Sequence, residues 1–227
     1  HGMFATSSIA EAITYYRLIK ARNPDLKITA LFDPNIDNNG SAAFKEDGLV
    51  EIINDYNALY GTKFKLATHG KMKQDISERL SHKELYIRIE RTPEKQLDLL
   101  IVVDQMLTGF DSKWVNTLYL DKVLEYANLI QAFSRTNRLF GPDKPFGVIR
   151  YYRRPHTMKR NIDRAVKSYS GDVPLALFVE KLEENLNHLN SIFNEIQQLF
   201  KNAGVSNFEK LPADKESCGK FAKLFKQ

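Results

Sequence analysis

Leu97-Asp98-Leu99-Leu100-Ile101-Val102-Val103-Asp104, with Thr108-Gly109-Phe110-Asp111 just after it, carries the fold class of this chain. Residues 97–103 read as a buried strand, an apolar run with few charges and β-branched residues at its end. A polar loop containing Gly109 follows. Val115-Asn116-Thr117-Leu118-Tyr119-Leu120 is a second strand, and Leu124 to Leu139 reads as a helix. Strand, loop, strand, helix is α/β order, and ligands of such sheets bind at the carboxyl ends of the strands.

The flanking sequence extends this pattern. Met3 to Ile9 is a strand ending in hydroxyl residues, and Ser7 or Ser8 can cap the helix Ile9 to Arg22, which stops at Asn23-Pro24. Leu26 to Phe32 is a second strand, and Asp33 to Ser41 is dense in turn formers. Gly48 to Leu59 places Leu49, Ile52, Ile53, Tyr56 and Leu59 on one helical stripe. Lys71 to Lys83 reads as a polar, exposed helix or loop, and Leu85 to Glu90 fits strand or helix equally. Downstream, the turn Gly141 to Pro145 introduces a last strand, Phe146 to Tyr152. The expectation is an α/β parallel sheet flanked by helices. Beyond it the texture changes. Pro174 to Phe200 has no glycine and no proline after its first residue, and carries Phe178, Leu182, Leu186, Leu189, Phe193, Ile196 and Phe200 in alternating steps of four and three, one long amphipathic helix. The expected division is 1–155 for the sheet domain and 156–227 for a helical region.

Bulk properties bound the function. The 227 residues are 43% hydrophobic, enough for a sizeable core, at a mean hydropathy of −0.40. Apolar runs fall far short of the roughly 18 residues a membrane helix needs, so no membrane-spanning helix and a cytoplasmic setting are expected. Single Cys218 excludes an intramolecular disulfide framework and fits a reducing compartment. Five scattered histidines supply no metal signature, so no metal site is expected. The opening His1-Gly2-Met3 suggests a start within a longer protein or after a cloning scar. Net charge is +5, and the distribution says more. Arg150, Arg153, Arg154, Lys159, Arg160, Arg164 and Lys167 stand against one acid, Asp163, with Tyr151 and Tyr152 among them. Such a segment can track phosphates or be a solvated face.

The chemistry-bearing stretch is Gln131-Ala132-Phe133-Ser134-Arg135-Thr136-Asn137-Arg138. On a helix, arginines at i and i+3 leave one face. Their permanent charge and rigid donor forks suit phosphate oxygens, and two on one face suit stabilisation of a transferring phosphoryl group. Alone, such a pair is more often a solvated surface; the α/β order around it shifts the balance.

Thr108-Gly109-Phe110-Asp111 resembles motif V of superfamily 2 helicases and translocases, and Gln131 to Arg138 resembles their motif VI, with Ser134 where Gly is usual. Residues 3–8 stand where motif IV would be. These motors bind ATP between two RecA-like domains, and this chain resembles the second. The wording from Asp98 to Asp111, Asn116 to Lys122 and Leu129 to Arg138 is closest to the motor (R) subunit of type I restriction endonucleases, where Ser at position 134 is normal. The resemblance is close over 97–155 and looser over 3–96.

That resemblance implies a RecA-like sheet and specific roles. Arg135 and Arg138 would stabilise charge on the γ-phosphate of ATP held, with Mg2+, by the first motor domain. Gln131 would orient the arginines or the attacking water. Gly109 would allow the tight turn, and Asp111 would contact the ribose or couple the nucleotide site to the motif VI helix; its alternative is a turn-forming Asx residue. Thr108 would contact DNA backbone or join that coupling network. Thr6, Ser7 and Ser8 would bind a DNA phosphate at a helix start, and Arg150, Arg153 and Arg154 would add DNA contacts. For Asp104 and Asp121, at strand ends, loop capping is the preferred reading. No G-x-x-x-x-G-K-[ST], acidic box or nuclease signature occurs in the sequence, so the chain alone is expected neither to hydrolyse ATP nor to cut DNA. The intact subunit would translocate double-stranded DNA and cleave it, partnered by methylation and specificity subunits. Alternative readings are another superfamily 2 DNA motor, or a non-catalytic nucleic-acid-binding domain of RecA-like shape.

Overall fold

The computed structural model describes residues 1–33, 42–107, 109–136, 138, 144–170, 182–205 and 208–226. Thr108, most of the expected 33–41 loop, the 141–143 turn and the start of the long helix at Pro174 lie outside them. The chain divides into two compact units, His1–Asp172 and Val173–Gln227.

In the first unit, β1 (Gly2–Thr6), β2 (Ile28–Leu31), β3 (Leu99–Val102), β4 (Thr117–Asp121) and β5 (Val148–Tyr151) form one sheet in the order β2-β3-β1-β4-β5. Every pairing is parallel, as the α/β reading expects. β1 is central, with Phe4 opposite Ile101 on one side and Tyr119 on the other. All five of its residues are buried, the run expected of a strand covered on both faces.

Ile9, Ala12, Ile13 and Tyr16 of α1 (Ile9–Arg22) bury the stripe seen in the sequence. In α2 (Ala42–Tyr60) Leu49, Ile52, Ile53 and Tyr56 are buried, while Leu59 is exposed.

The expectation of a polar, exposed 71–83 segment is corrected. α3 (His69–Ser81) buries Met72, Ile76, Arg79 and Leu80, an i, i+4, i+7, i+8 face. The cation on that face hid it from a hydrophobicity reading. Arg79 is 2% exposed and fully engaged. It donates to Tyr86 Oη (2.7 Å), Asp75 Oδ2 (3.1 Å), Tyr56 Oη (3.1 Å) and the Lys95 carbonyl (2.5 Å). Its guanidinium also lies 3.7 Å from the Tyr60 ring centroid and 4.3 Å from that of Tyr86. A buried charge persists only when paired and hydrogen-bonded to this degree. Residues 84–91 are neither strand nor α-helix but two 3-10 turns, with Tyr86 and Ile89 as buried anchors.

α4 (Tyr126–Phe133) and α5 (Pro155–Ser170) complete the unit. α5 contributes Met158 and Ala165 to the sheet's core, so packing keeps residues past 155 with the sheet.

In the second unit, α6 (Leu182–Asn202) and α7 (Lys215–Leu224) enclose Ile196, Phe200 and Val205, backed by Ile192, Leu199, Phe221 and Leu224. The same α6 stripe leaves Leu186, Leu189 and Phe193 exposed. No helix among the described residues is long and apolar enough to cross a membrane.

Candidate functional site

The expected helix from Leu124 to Leu139 is shorter than the sequence suggests. α4 starts at Tyr126 and ends at Phe133, because its last turn tightens. Arg135 N bonds to the Ala132 carbonyl (3.1 Å) and Thr136 N to that of Phe133 (3.2 Å), both i−3 contacts. The Gln131 carbonyl accepts from Ser134 Oγ (2.7 Å) and Arg135 Nε (2.9 Å), side chains that take the place of a continuing backbone ladder. Arg135 and Arg138 therefore share no α-helical face: one sits on the tight turn and the other beyond it.

Asp111 brings them together instead. Arg138 Nε lies 2.6 Å from Asp111 Oδ1, both side chains more than half exposed. Arg135 is close by. Burial pushes its guanidinium below the ordinary value, Asp111 opposes that shift, and Arg138 adds to it. The side chain of Gln131 is exposed and makes no hydrogen bond among the described residues.

The loop that presents Asp111 is held at both ends. Met106, Leu107 and Phe110 are buried, and Gly109 takes φ +71° in open space, a conformation most side chains resist. Ser112, 5% exposed, donates to the Leu80 carbonyl (2.7 Å) and accepts from Trp114 N (3.0 Å). Asp111 thus stands between two buried anchors with its carboxylate outward.

This cluster lies at the amino end of the sheet, not the carboxyl end that the α/β order suggests. α4 follows β4 and must run back antiparallel to the strands, so its last turn returns to the opposite edge. Thr136 sits against Gly147, the residue before β5: a Cβ built there would lie 2.3 Å from the Thr136 carbonyl oxygen. Buried Lys144 donates to the carbonyls of Lys113 (3.0 Å) and Val115 (2.7 Å), joining the start of β5 to the segment that leads into β4.

The carboxyl edge holds a second cluster. Ser8 caps α1, accepting from Glu11 N (3.2 Å). Thr6 is wholly buried and donates to the Ser8 carbonyl (3.2 Å) and that of Val102 (3.4 Å); Ser7 Oγ donates to the Asp121 carbonyl (3.1 Å). Arg153 bridges Glu11 Oε1 (2.8 Å) and Asp121 Oδ2 (3.1 Å). Hydrogen bonds donated to Glu11 and then Asp121 hold its guanidinium above the usual range. Tyr15 Oη also donates to Asp121 (2.7 Å). Lys122 Nζ donates to Asp104 (2.7 Å) and the Val103 carbonyl (2.9 Å). Asp104 and Asp121 are thus ion-pair partners rather than loop caps. Arg150 and Arg154 are exposed.

Glu11, Tyr15, Lys144 and Gly147 escaped the sequence reading. Their partners are 29 to 142 residues distant or reach them through backbone, and no local spacing signals that. Among the described residues no cluster of three or more His, Cys, Asp or Glu could hold a metal ion.

A family model described as type I restriction enzyme subunit R domain 3 matches residues 1–154. A type I restriction enzyme endonuclease subunit of Staphylococcus aureus (strain COL) is 38% identical over 176 residues, covering 74% of this chain and 18% of the relative. One from Staphylococcus saprophyticus is 38% identical over 177 residues, with the same coverage of each chain. A protein of Mycoplasma pneumoniae, described as the N-terminal part of such a subunit, is 37% identical over 124 residues, or 52% of this chain and 31% of its own length. The chain spans about a fifth of the length of the staphylococcal relatives. It belongs to the type I restriction enzyme subunit R family, in the region of that subunit's domain 3.

Proposed function

We propose that this chain is the second motor domain of a type I restriction R subunit, the half that supplies arginines to ATP bound on its partner domain. The observation that carries this reading is the Asp111–Arg138 pair with Arg135 beside it. Two permanent cations converge on one exposed carboxylate, so the cluster keeps a net positive charge suited to an incoming polyphosphate. ATP, with Mg2+, would supply the phosphoanhydride bond whose hydrolysis drives movement. In the free domain Asp111 holds Arg138 extended from the turn. As the partner domain closes, Arg138 would exchange that carboxylate, and Arg135 its bonds to the Gln131 carbonyl and Ser134, for phosphate oxygens, stabilising charge developing there. Gln131, exposed beside them, would orient an arginine or water. Gly109 sets the loop that carries Asp111, and Thr108 belongs to the same loop by sequence.

The carboxyl edge is the proposed DNA face. Ser7 and Ser8 at the start of α1, with Arg150 and Arg154 near the start of α5, suit phosphates of double-stranded DNA. Thr6, being buried, would act by holding this helix start. Arg153 would reach a phosphate only by leaving Glu11 and Asp121. The intact subunit would couple ATP-driven translocation to cleavage, assembled with methylation and specificity subunits.

The test is DNA-stimulated ATP hydrolysis by the full-length subunit with those partners, wild type against Arg138→Ala. A loss of about a thousandfold with ATP binding retained is expected. Unchanged turnover would leave the arginines as surface charges and favour a binding scaffold.

A further inference from the structure

The outer face of α5 is a second positively charged surface, remote in sequence from motifs IV to VI. Packing fixes its orientation. Met158, Asn161, Ala165 and Val166 are buried, and Asn161 Nδ2 donates to the Leu124 carbonyl (2.9 Å). Arg160, Arg164 and Lys167, at i, i+4 and i+7, are all exposed and form one stripe. Among the described residues no carboxylate pairs with any of them. The helix's acid, Asp163, is taken by Lys159 at 3.0 Å.

The stripe differs from an ordinary solvated face. On α1, by contrast, the exposed cations Arg17 and Lys20 are paired, with Glu51 and Asp55. Arg160 and Arg164 repel each other at i,i+4, which costs helix stability. Lys167 gains from the helix dipole in the last turn, but the two arginines do not. Local stability therefore gives no reason for this arrangement. The stripe runs about 10 Å along the helix at about 1.5 Å per residue. Over that length a duplex carries roughly six phosphate charges, one per about 1.7 Å.

We propose that Arg160, Arg164 and Lys167 form a sequence-independent phosphate track for double-stranded DNA, distinct from the strand-end contacts. The inference rests on the motor reading for its purpose but is tested without it. The experiment measures binding of a short fluorescent duplex to the full-length subunit by anisotropy across a sodium chloride series. In R160Q/R164Q/K167Q the log–log salt slope should become shallower by about 3, and binding should weaken at every salt concentration. R160K/R164K should keep the wild-type slope, because charge rather than fork geometry is read. These residues are exposed and the variant removes their mutual repulsion, so the melting temperature should not fall and a folding defect is separable. An unchanged slope in the triple variant overturns the proposal. If the slope is unchanged while assembly with the methylation and specificity subunits fails, the stripe is a protein-docking surface instead. Hydrolysis by Arg138→Ala is read separately, so failure of the motor reading leaves this result standing.

Discussion

Gly147→Ala is the sharpest perturbation of the arginine turn, because it adds one methyl group and touches no charged residue. The added Cβ would lie 2.3 Å from the Thr136 carbonyl oxygen and 2.7 Å from both the Thr136 carbonyl carbon and its Cβ. Backbone atoms have no rotamer into which to retreat. To restore even a 3.0 Å contact, the turn and the start of β5 must part by roughly 0.7 Å. Thr136 is 1% exposed and its hydroxyl is tied to the Phe133 carbonyl at 3.2 Å, so the displacement passes to the neighbouring residues, Arg135 first. Overpacking of this kind costs about 1–3 kcal/mol of stability. A misplacement of about 1 Å in a catalytic group can cost about a hundredfold in rate. In the full-length subunit with its partners, DNA-stimulated turnover should therefore fall by about tenfold to a hundredfold with ATP affinity unchanged. The assay is steady-state hydrolysis at saturating DNA beside nucleotide binding, with Gly70→Ala, where nothing lies within 4 Å of an added Cβ, as the control. Normal turnover in Gly147→Ala, or equal losses in both variants, would refute the idea that the β5 start seats the arginines.

Other expectations are simpler. Asp111→Asn removes the carboxylate that holds Arg138, and should lower turnover without loss of fold, read by the same hydrolysis assay beside thermal melting. Arg79→Ala leaves Asp75 and the hydroxyls of Tyr56 and Tyr86 in a site emptied of its cation, and should cost about 3–5 kcal/mol in denaturant unfolding; a cost under about 1 kcal/mol would mean the cage is dispensable. Ser8→Ala removes the cap of α1 and should cost about 1 kcal/mol. Burial lowers the pKa of His69, whose Nε2 has no hydrogen-bond partner among the described residues. Its folded value thus lies below the unfolded one of about 6.5. The neutral ring's contribution is present above that value and lost as pH falls through it. His69→Leu should flatten the stability–pH curve between about pH 7 and 5, and an unchanged curve would remove His69 as its source.

How much of this was legible in the sequence follows from the range of each interaction. β1, β3, β4 and β5 are short apolar runs bounded by turn formers, and α1 combines a 3.6-residue stripe with Ser8 and Asn23-Pro24 as start and stop signals. Those signals are local, so they read correctly. α3 did not, because its core face includes Arg79, a residue buried only by virtue of Tyr56, Tyr60, Tyr86 and Asp75. The end of α4 was misread for a subtler reason. Nothing in Ser134-Arg135-Thr136 breaks a helix by propensity; the break comes from side chains competing for the Gln131 carbonyl. The resemblance offered a coupling of Asp111 to the segment that carries Arg138, but the direct ion pair across 27 positions appears only in three dimensions.

The two clusters occupy opposite ends of the same strands, and this constrains how they can communicate. Asp121 ends β4 at the carboxyl edge, and Gly147 stands at the amino edge just before β5. Between them run four paired positions, Thr117–Leu120 against Val148–Tyr151, with Leu118 and Leu120 fully buried. Sliding β4 by one residue would turn Leu118 and Leu120 outward, so β4 keeps its register and carries the edge strand β5 with it. On the proposed reading, displacement of the arginine turn by nucleotide on the partner domain is passed along β4 and β5 without internal change. It reaches Arg153 and the starts of α1 and α5 as a reorientation of the whole edge. Glu11 and Asp121 then act as a brace that keeps β1, β4 and β5 in step through Arg153. Asp121→Asn should loosen that brace, lowering translocation per ATP hydrolysed while leaving hydrolysis itself near the wild-type rate. The ratio is measured as triplex displacement against phosphate release on the same DNA. A parallel fall in both would place Asp121 in the nucleotide site's support instead.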